Sequence, residues 1–336
     1  MAKRPEILPT DRTANEPVPA EPSSIVPELG PLVSSAASYA RSARAERTLK
    51  EYAKQWATFT AWCAEHGLCE LPAAPQTLCL YLAARADLGR RVATLDLALT
   101  AISQAHVVAG HPSPRGHQLV RETWKGIRRR VGVAQTQKQP VTIRNMRKMI
   151  DGLPTGLLGL RDRALLTLGF SGGFRRSELV ALDVADLTFL PRLGMEALVR
   201  RSKTDQEGQG RVKVIARGSD PATCPVRSIQ DWLELTGITE GAVFRAVNRH
   251  GQLNARRMTG QSVALIVKRA IAETGLSAEQ FAGHSLRAGF VTEARGNGAD
   301  DPAIMEQTGH KSLAMVHRYH RRTQRWDKPA SSKLGL

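Results

Sequence analysis

The sequence predicts an α+β protein that is mostly α: an all-helical N-terminal domain, then a mixed α/β domain with a small antiparallel sheet. Three observations carry this. Apolar residues recur at spacings of three and four over successive stretches between about residues 40 and 131. Short extended candidates appear only later, at 186–190, 196–200 and 211–215, the last with alternation in Val212 and Val214. A polar, aperiodic run from Gly132 to Pro140 separates the two patterns and reads as a linker. At 336 residues the chain has room for two domains and a sizeable core. The expected division is a tail at 1–34, a helical domain at 35–132, a linker at 133–140 and a second domain with a C-terminal tail at 141–336.

The tail is rich in Pro, Ala, Ser and Glu. Pro9, Pro17, Pro19, Pro22, Pro27 and Pro31 forbid a long helix, so disorder is expected. Leu49, Tyr52, Trp56, Phe59 and Cys63 predict a helix within 40–67, stopped by Gly67. A second element runs from Thr77 to Leu88 and stops at Gly89. Leu95, Leu99, Ile102 and His106 mark a third helix over 94–108. A fourth, from about Gly116 to Val131, ends in Lys125, Arg128, Arg129 and Arg130. A charge run is usually a solvated face. This one also has the composition to grip phosphates.

In the second domain Thr142 is positioned to cap a helix through Ile150, and a further helix spans 160–170. Gly-Phe-Ser-Gly-Gly at 169–173 matches the nucleophile elbow of α/β-hydrolases, but that motif needs a strand before Ser171 and here a helix precedes it. The glycines read instead as a tight turn from which the helix of Arg175, Glu178, Leu179 and Leu182 begins. Arg175 and Glu178 share a face, an arrangement that on an exposed helix is a weak ion pair. Lys203 opens a polar loop between the last two extended segments. Helices over 225–236 and 259–274 follow. In His284-Ser285-Leu286-Arg287 the His and Arg fall on one helical face, with Leu286 and Phe290 inward. After a short helix at 304–308 come Gly309-His310, then Ser312 as a helix start, with Leu313, Val316 and Tyr319 spaced by three. Tyr319 taken alone reads as a core tyrosine with a satisfied hydroxyl.

Composition narrows the function classes. Lys and Arg number 48 against 31 Asp and Glu, a formal charge of +17, which points to a polyanionic partner. Cys63, Cys69, Cys79 and Cys224 form no C-x-x-C pair. The first three fall in apolar helical segments, as reduced core residues of a cytosolic protein do. No signal peptide or membrane-length apolar run is evident, no Walker A sequence is present, and His317 and His320 lack zincin spacing, so no cofactor or metal is expected.

Gly173-x-Arg175-x-Ser177-Glu178-Leu179, Lys203, His284-x-x-Arg287, Gly309-His310 and Tyr319, nine residues after that His, occur in this order. The set resembles the tyrosine recombinases, the phage integrase family that includes Cre and the Xer proteins. The resemblance covers about 140–321, and the helical domain resembles the family's SAM-like core-binding domain. Arg176 departs from the apolar residue often found there. The resemblance implies cutting and rejoining of DNA through a 3′-phosphotyrosyl intermediate. Arg175 and Arg287 would hold the non-bridging phosphate oxygens bidentately. His284 and His310 would donate to that phosphate or handle protons. Lys203 would protonate the leaving 5′-hydroxyl, Tyr319 would attack, and Glu178 would orient a catalytic side chain from behind. Because the covalent link conserves the phosphodiester energy, neither ATP nor metal is required.

It further implies a double-stranded DNA recombination site as partner, a homotetramer on two sites, an accessory directionality factor in some systems, and a place at the bacterial nucleoid in the cytoplasm. Residues 322–336 would dock on a neighbouring subunit. Two alternatives remain. One is a related strand transferase, a topoisomerase or telomere resolvase; the other is a non-catalytic DNA-binding regulator on the same scaffold.

Overall fold

The computed structural model describes residues 29–133, 137–202, 205, 207–248, 250–317 and 330–334. The chain divides into two compact units, 1–135 and 136–336.

The regular secondary structure among the first unit's described residues is all helical, with α1 Gly30–Ser42, α2 Glu46–Glu65, α3 Pro75–Asp87, α4 Val92–Val108 and α5 Gln118–Val131. Two expectations are corrected here. Residues 30–34 belong to α1 rather than to a disordered tail, because Pro31 stands in a first turn, where a missing N–H costs nothing. The helical pattern from Ala40 is also two helices, broken before Ala45, the N-cap of α2. Phe59, Leu78, Tyr81, Leu95, Leu99 and Ile102 fill the core. His106 is fully buried and locked: Ala73 N–H donates to Nε2 at 2.8 Å, so Nδ1 carries the proton and donates to Ile102 O at 2.8 Å. Cys63 is buried as expected, whereas Cys69 is exposed in the loop after α2. Lys125, Arg128, Arg129 and Arg130 are exposed at the end of α5.

The second unit contains α6 Ile143–Asp151, α7 Leu157–Ser171, α8 Arg176–Ala181, a three-stranded sheet, α9 Pro225–Thr236, a strand pair, α10 Gly260–Ala272, α11 Ser285–Gly296, α12 Asp301–Thr308 and α13 Leu313–His317. The sheet is antiparallel, β1 Leu187–Leu190, β2 Gly194–Val199 and β3 Arg211–Ala216, with Lys213 opposite Ala197. A second antiparallel pair, β4 Arg245–Val247 and β5 Leu253–Arg257, has no counterpart in the sequence expectations. β5 is mostly exposed and Arg-rich, so it lacks the alternation that marks a strand. Thr142 and Thr259 cap α6 and α10 through their hydroxyls, at 3.1 and 3.2 Å. The linker is corrected in part: Lys138 and Gln139 already bond Glu279 O and Gln280 O, and Val141 N–H bonds Ser285 O. From 138 onward the chain is therefore docked on its own unit.

The core of this unit joins α6, α7, α9 and α10 to the inner face of the sheet, with Trp232, Phe244, Val263 and Leu286 among its buried members. Within it Asp162 is fully buried and neutralised by Arg161 and Arg269. Removing Asp162 would strand the buried Arg161 charge, typically a loss of about 3–5 kcal/mol.

Candidate active site

The site is built where three chain-distant turns meet. The first is the turn between α7 and α8. Ser171 closes α7, so no strand precedes it and the hydrolase-elbow match is excluded. Gly173 has φ +54°, a left-handed conformation that a side chain disfavours, and a Cβ there would also press on the Phe290 ring at 2.9 Å. That turn sends Phe174 into the core and places Arg175 at the N-cap of α8. Glu178, one turn on, accepts from the Arg175 backbone N–H at 2.9 Å and from its guanidinium Nη1 at 2.5 Å. With side-chain exposures of 14% and 1%, this pair is not the exposed, weak pair that spacing alone suggests. Burial removes water as a competitor, so Glu178 fixes the direction of the Arg175 fork.

The second turn is the end of α12. Gly309 caps it at φ +68°, and a side chain there would collide with the Arg211 guanidinium. The capping turn delivers His310, which is 6% exposed. Thr308 gives its hydroxyl proton to Ile304 O at 2.6 Å, so its oxygen accepts from His310 Nδ1 at 2.9 Å. That bond fixes the tautomer and leaves Nε2 as the acceptor nitrogen of the neutral ring. Burial first, then the Arg287 and Arg175 charges, push the His310 pKa down to about 3.

The third turn is the start of α11. His284 sits at its N-cap and is exposed, while Arg287 is 1% exposed. Their i,i+3 spacing therefore places one at the surface and the other within. Arg287 Nη1 donates to Gly173 O at 2.7 Å and Nη2 to Thr308 O at 2.6 Å, bracing the first turn against the second.

Two basic residues that sequence reasoning missed complete the cluster. Arg211 donates to Thr308 O at 3.3 Å. Lys213 is fully buried and donates to Gly172 O at 2.7 Å and Gln307 O at 2.5 Å, with Nζ 4.7 Å above the Phe174 ring. The signal was present in the strand period: Arg211, Lys213 and Ile215 share one face of β3. That face is inward, and Val212 and Val214 are exposed instead.

A cleft of about 650 Å³ opens among Ser202, Asp205, Gly210, Arg211, His310 and Lys311. Ser202 and Asp205 exchange backbone hydrogen bonds at 3.1 and 3.2 Å on either side of Lys203 in the sequence. Asp205 then accepts from the N–H groups of Gly208, Gln209 and Gly210. The Gly210 bond does most to hold its carboxyl below the usual range. Lys203 itself lies outside the described residues, as does Tyr319. α13, which ends two residues before Tyr319, buries Val316 but leaves Leu313 half exposed, so the spacing-by-three does not mark a uniformly packed face. His317 Nε2 lies 3.2 Å from Asp301, tying α13 to the start of α12. Among the described residues no group of His, Cys, Asp and Glu could hold a metal ion, and no helix is long and apolar enough to cross a membrane.

The model of the phage integrase family matches residues 139–325, more than half of the chain and nearly all of the second unit. This chain belongs to the phage integrase family. An integrase/recombinase XerD homologue of Selenomonas ruminantium is 41% identical over 280 residues, covering 82% of each chain. Among solved structures, the fold is similar to a lambda integrase dimer bound to a COC′ core site, with TM-score 0.60 and 18% identity over 88% of this chain and 96% of that one. It is also similar to the XerH site-specific recombinase in a post-cleavage complex with a palindromic difH substrate. That match has TM-score 0.57 and 19% identity over 77% and 72% of the two chains. These two likenesses establish the fold. Arg175, Glu178, His284, Arg287 and His310 all lie within the matched range.

Proposed function

We infer that this chain is a site-specific tyrosine recombinase that cuts and rejoins DNA through a 3′-phosphotyrosyl intermediate. The observation that carries the reading is the convergence of two guanidiniums, Arg175 and Arg287, and the neutral His310, from three separate turns, into one site backed by Glu178. A phosphodiester gains negative charge as it is attacked, and preorganised donors around it supply much of the rate. Arg175, aimed by Glu178, and Arg287 stabilise that charge. His284 donates to the phosphate from the start of α11. His310, neutral with Nε2 as acceptor, handles a proton. Lys203 protonates the leaving 5′-oxygen and Tyr319 is the nucleophile, its phenol acidified by the cations around it.

The test uses a duplex recovered by selection from random DNA, nicked next to the scissile position so that cleavage cannot be reversed. Wild-type protein is expected to form a detergent-stable adduct through the 3′-phosphate without ATP or added metal. A protein that binds the duplex yet never forms the adduct would be the non-catalytic regulator instead.

In this proposal the basic end of α5 contacts DNA phosphates. Replacing Arg128 and Arg129 together by Ala is expected to weaken binding and to flatten its salt dependence. Each lost contact removes about 0.9 from the slope of log K against log salt concentration. An unchanged slope would make these side chains merely solvated.

Assembly is the remaining part. The working form is a homotetramer on two double-stranded sites at the nucleoid in the cytoplasm, with residues 322–336 donated head-to-tail to a neighbour and an accessory directionality factor as a further partner. Of that segment only 330–334 are described, with Ala330–Lys333 forming a short 3-10 turn. Deleting 322–336 is expected to leave single-site binding nearly intact and to abolish tetramers on paired sites in sedimentation. Equal tetramer formation by both proteins would refute the donated tail and favour a topoisomerase-like monomer.

A further inference from the structure

The charged side chain most deeply placed in the site is one to which the recombinase reading gives no role. β3 carries Lys213 inward, fully buried, directly behind the two turns that present Arg175 and His310. Its contacts parallel those of Arg287. Arg287 links Gly173 O to Thr308 O, and Lys213 links Gly172 O to Gln307 O, each partner one residue earlier. Two basic side chains from different elements therefore cross-link the same two turns at adjacent peptides. Arg175 follows the first pair of carbonyls by two residues and His310 follows the second pair by two.

We propose that Lys213 is a positioning residue of the phosphate site: it forms the second rung of a two-rung tie that holds Arg175 and His310 at their working separation. A single rung acts as a hinge about which the turns rock. Two rungs fix both distance and angle, and an error of about 1 Å in such a site costs on the order of 10²-fold in rate.

The surroundings of Lys213 give this role a second signature. Around its ammonium stand Arg175 and Glu178 from the start of α8, Arg211 from β3 itself, Arg287 from α11 and His310 after α12. Burial first, then the Arg287, Arg211 and Arg175 charges, lower its pKa to about 6 against the pull of Glu178. Near pH 7 the amine is thus mostly neutral, still with two N–H donors for its two carbonyls. A phosphate arriving among these cations favours the charged form, which has a third donor and binds carbonyls more strongly. DNA binding is therefore coupled to proton uptake at Lys213. His310 starts from about 3 and would have to rise by about four units to compete at neutral pH.

The inference rests on the recombinase reading, and the experiment separates the two. Lys213→Met and Lys213→Leu, two apolar replacements of similar bulk, are compared with wild type on the selected, nicked duplex. Expected for either variant that folds are DNA affinity within about threefold of wild type and single-turnover cleavage slower by ten- to a hundredfold. Binding at pH 7, followed by calorimetry in buffers of different ionisation enthalpy, should take up a fraction of a proton in wild type and not in the variant. Cleavage within threefold of wild type would overturn the positioning role. So would affinity and rate falling in proportion, or failure of both variants to fold, since either makes Lys213 a residue of the fold alone. If wild type itself forms no adduct, the recombinase reading fails; the proton count still reports whether Lys213 senses a bound phosphate.

Discussion

Tyr319→Phe is expected to bind the selected duplex with wild-type affinity and to form no covalent adduct. The change removes one oxygen. That oxygen is the only atom of Tyr319 that can bond to phosphorus, so the loss of adduct should reach the detection limit rather than a partial reduction. Affinity should persist because recognition and phosphate binding reside in other groups. A free phenol, with its pKa of about 10, is almost wholly protonated near pH 7. In the proposed mechanism, attack therefore depends on the charges of Arg175, Arg211 and Arg287, all carried by the second unit. Denaturing electrophoresis of protein with the nicked duplex reads the result directly. An adduct that persists in the phenylalanine variant would assign the nucleophile to another residue.

Arg287→Ala is the other large effect, and it should appear in two measurements at once. Truncation removes a guanidinium that is 1% exposed and bonded to Gly173 O and Thr308 O. Gly173 O loses its donor, at a cost of about 1–3 kcal/mol, whereas Thr308 O keeps the longer bond from Arg211, so stability should fall by about that amount or somewhat more. Relief of repulsion with Lys213 offsets part of this, because the Arg287 charge is among those that lower the Lys213 pKa. Cleavage should drop further than stability explains, by about 10²–10³, while DNA affinity changes far less. Arg287→Lys sharpens the interpretation. A single ammonium has no planar fork with which to span both carbonyls, so it should recover part of the stability and little of the rate. Cleavage by Arg287→Ala within threefold of wild type on saturating duplex would remove Arg287 from the chemistry and leave it a brace between turns.

These expectations depend on features that were legible to very different degrees. Local signals located most of the helices. Gly67 and Gly89 stop signals, the Thr142 and Thr259 caps and the three–four spacing in α2 and α4 all depend on neighbours within a turn or two. The three strands of the main sheet were legible for the same reason. β4 and β5 were not, because a solvated, Arg-rich hairpin carries no apolar alternation. The helical stretch from Ala40 is divided between α1 and α2.

The sequence by itself determined which chemistry the second unit can hold: two Arg, two His, a Glu, a Lys and a Tyr match the needs of a charged phosphodiester, and they lie within the stretch that the family model matches. What it left open was the use each side chain makes of its donors. Spacing made Arg175–Glu178 look like an exposed pair, and only the packing of α8 shows Glu178 buried beneath it. Spacing put His284 and Arg287 on one face, yet the helix start leaves the first at the surface and buries the second. Most of all, the alternation in β3 did not say which face is inside. Valine at 212 and 214 would ordinarily take the interior. Lys213 takes it instead because Gly172 O and Gln307 O, 41 and 94 residues away in the chain, converge there as acceptors. A strand's period is set by its own backbone, but the polarity of its buried face is set by what packs across from it. Acceptors that distant become neighbours only once the chain has folded.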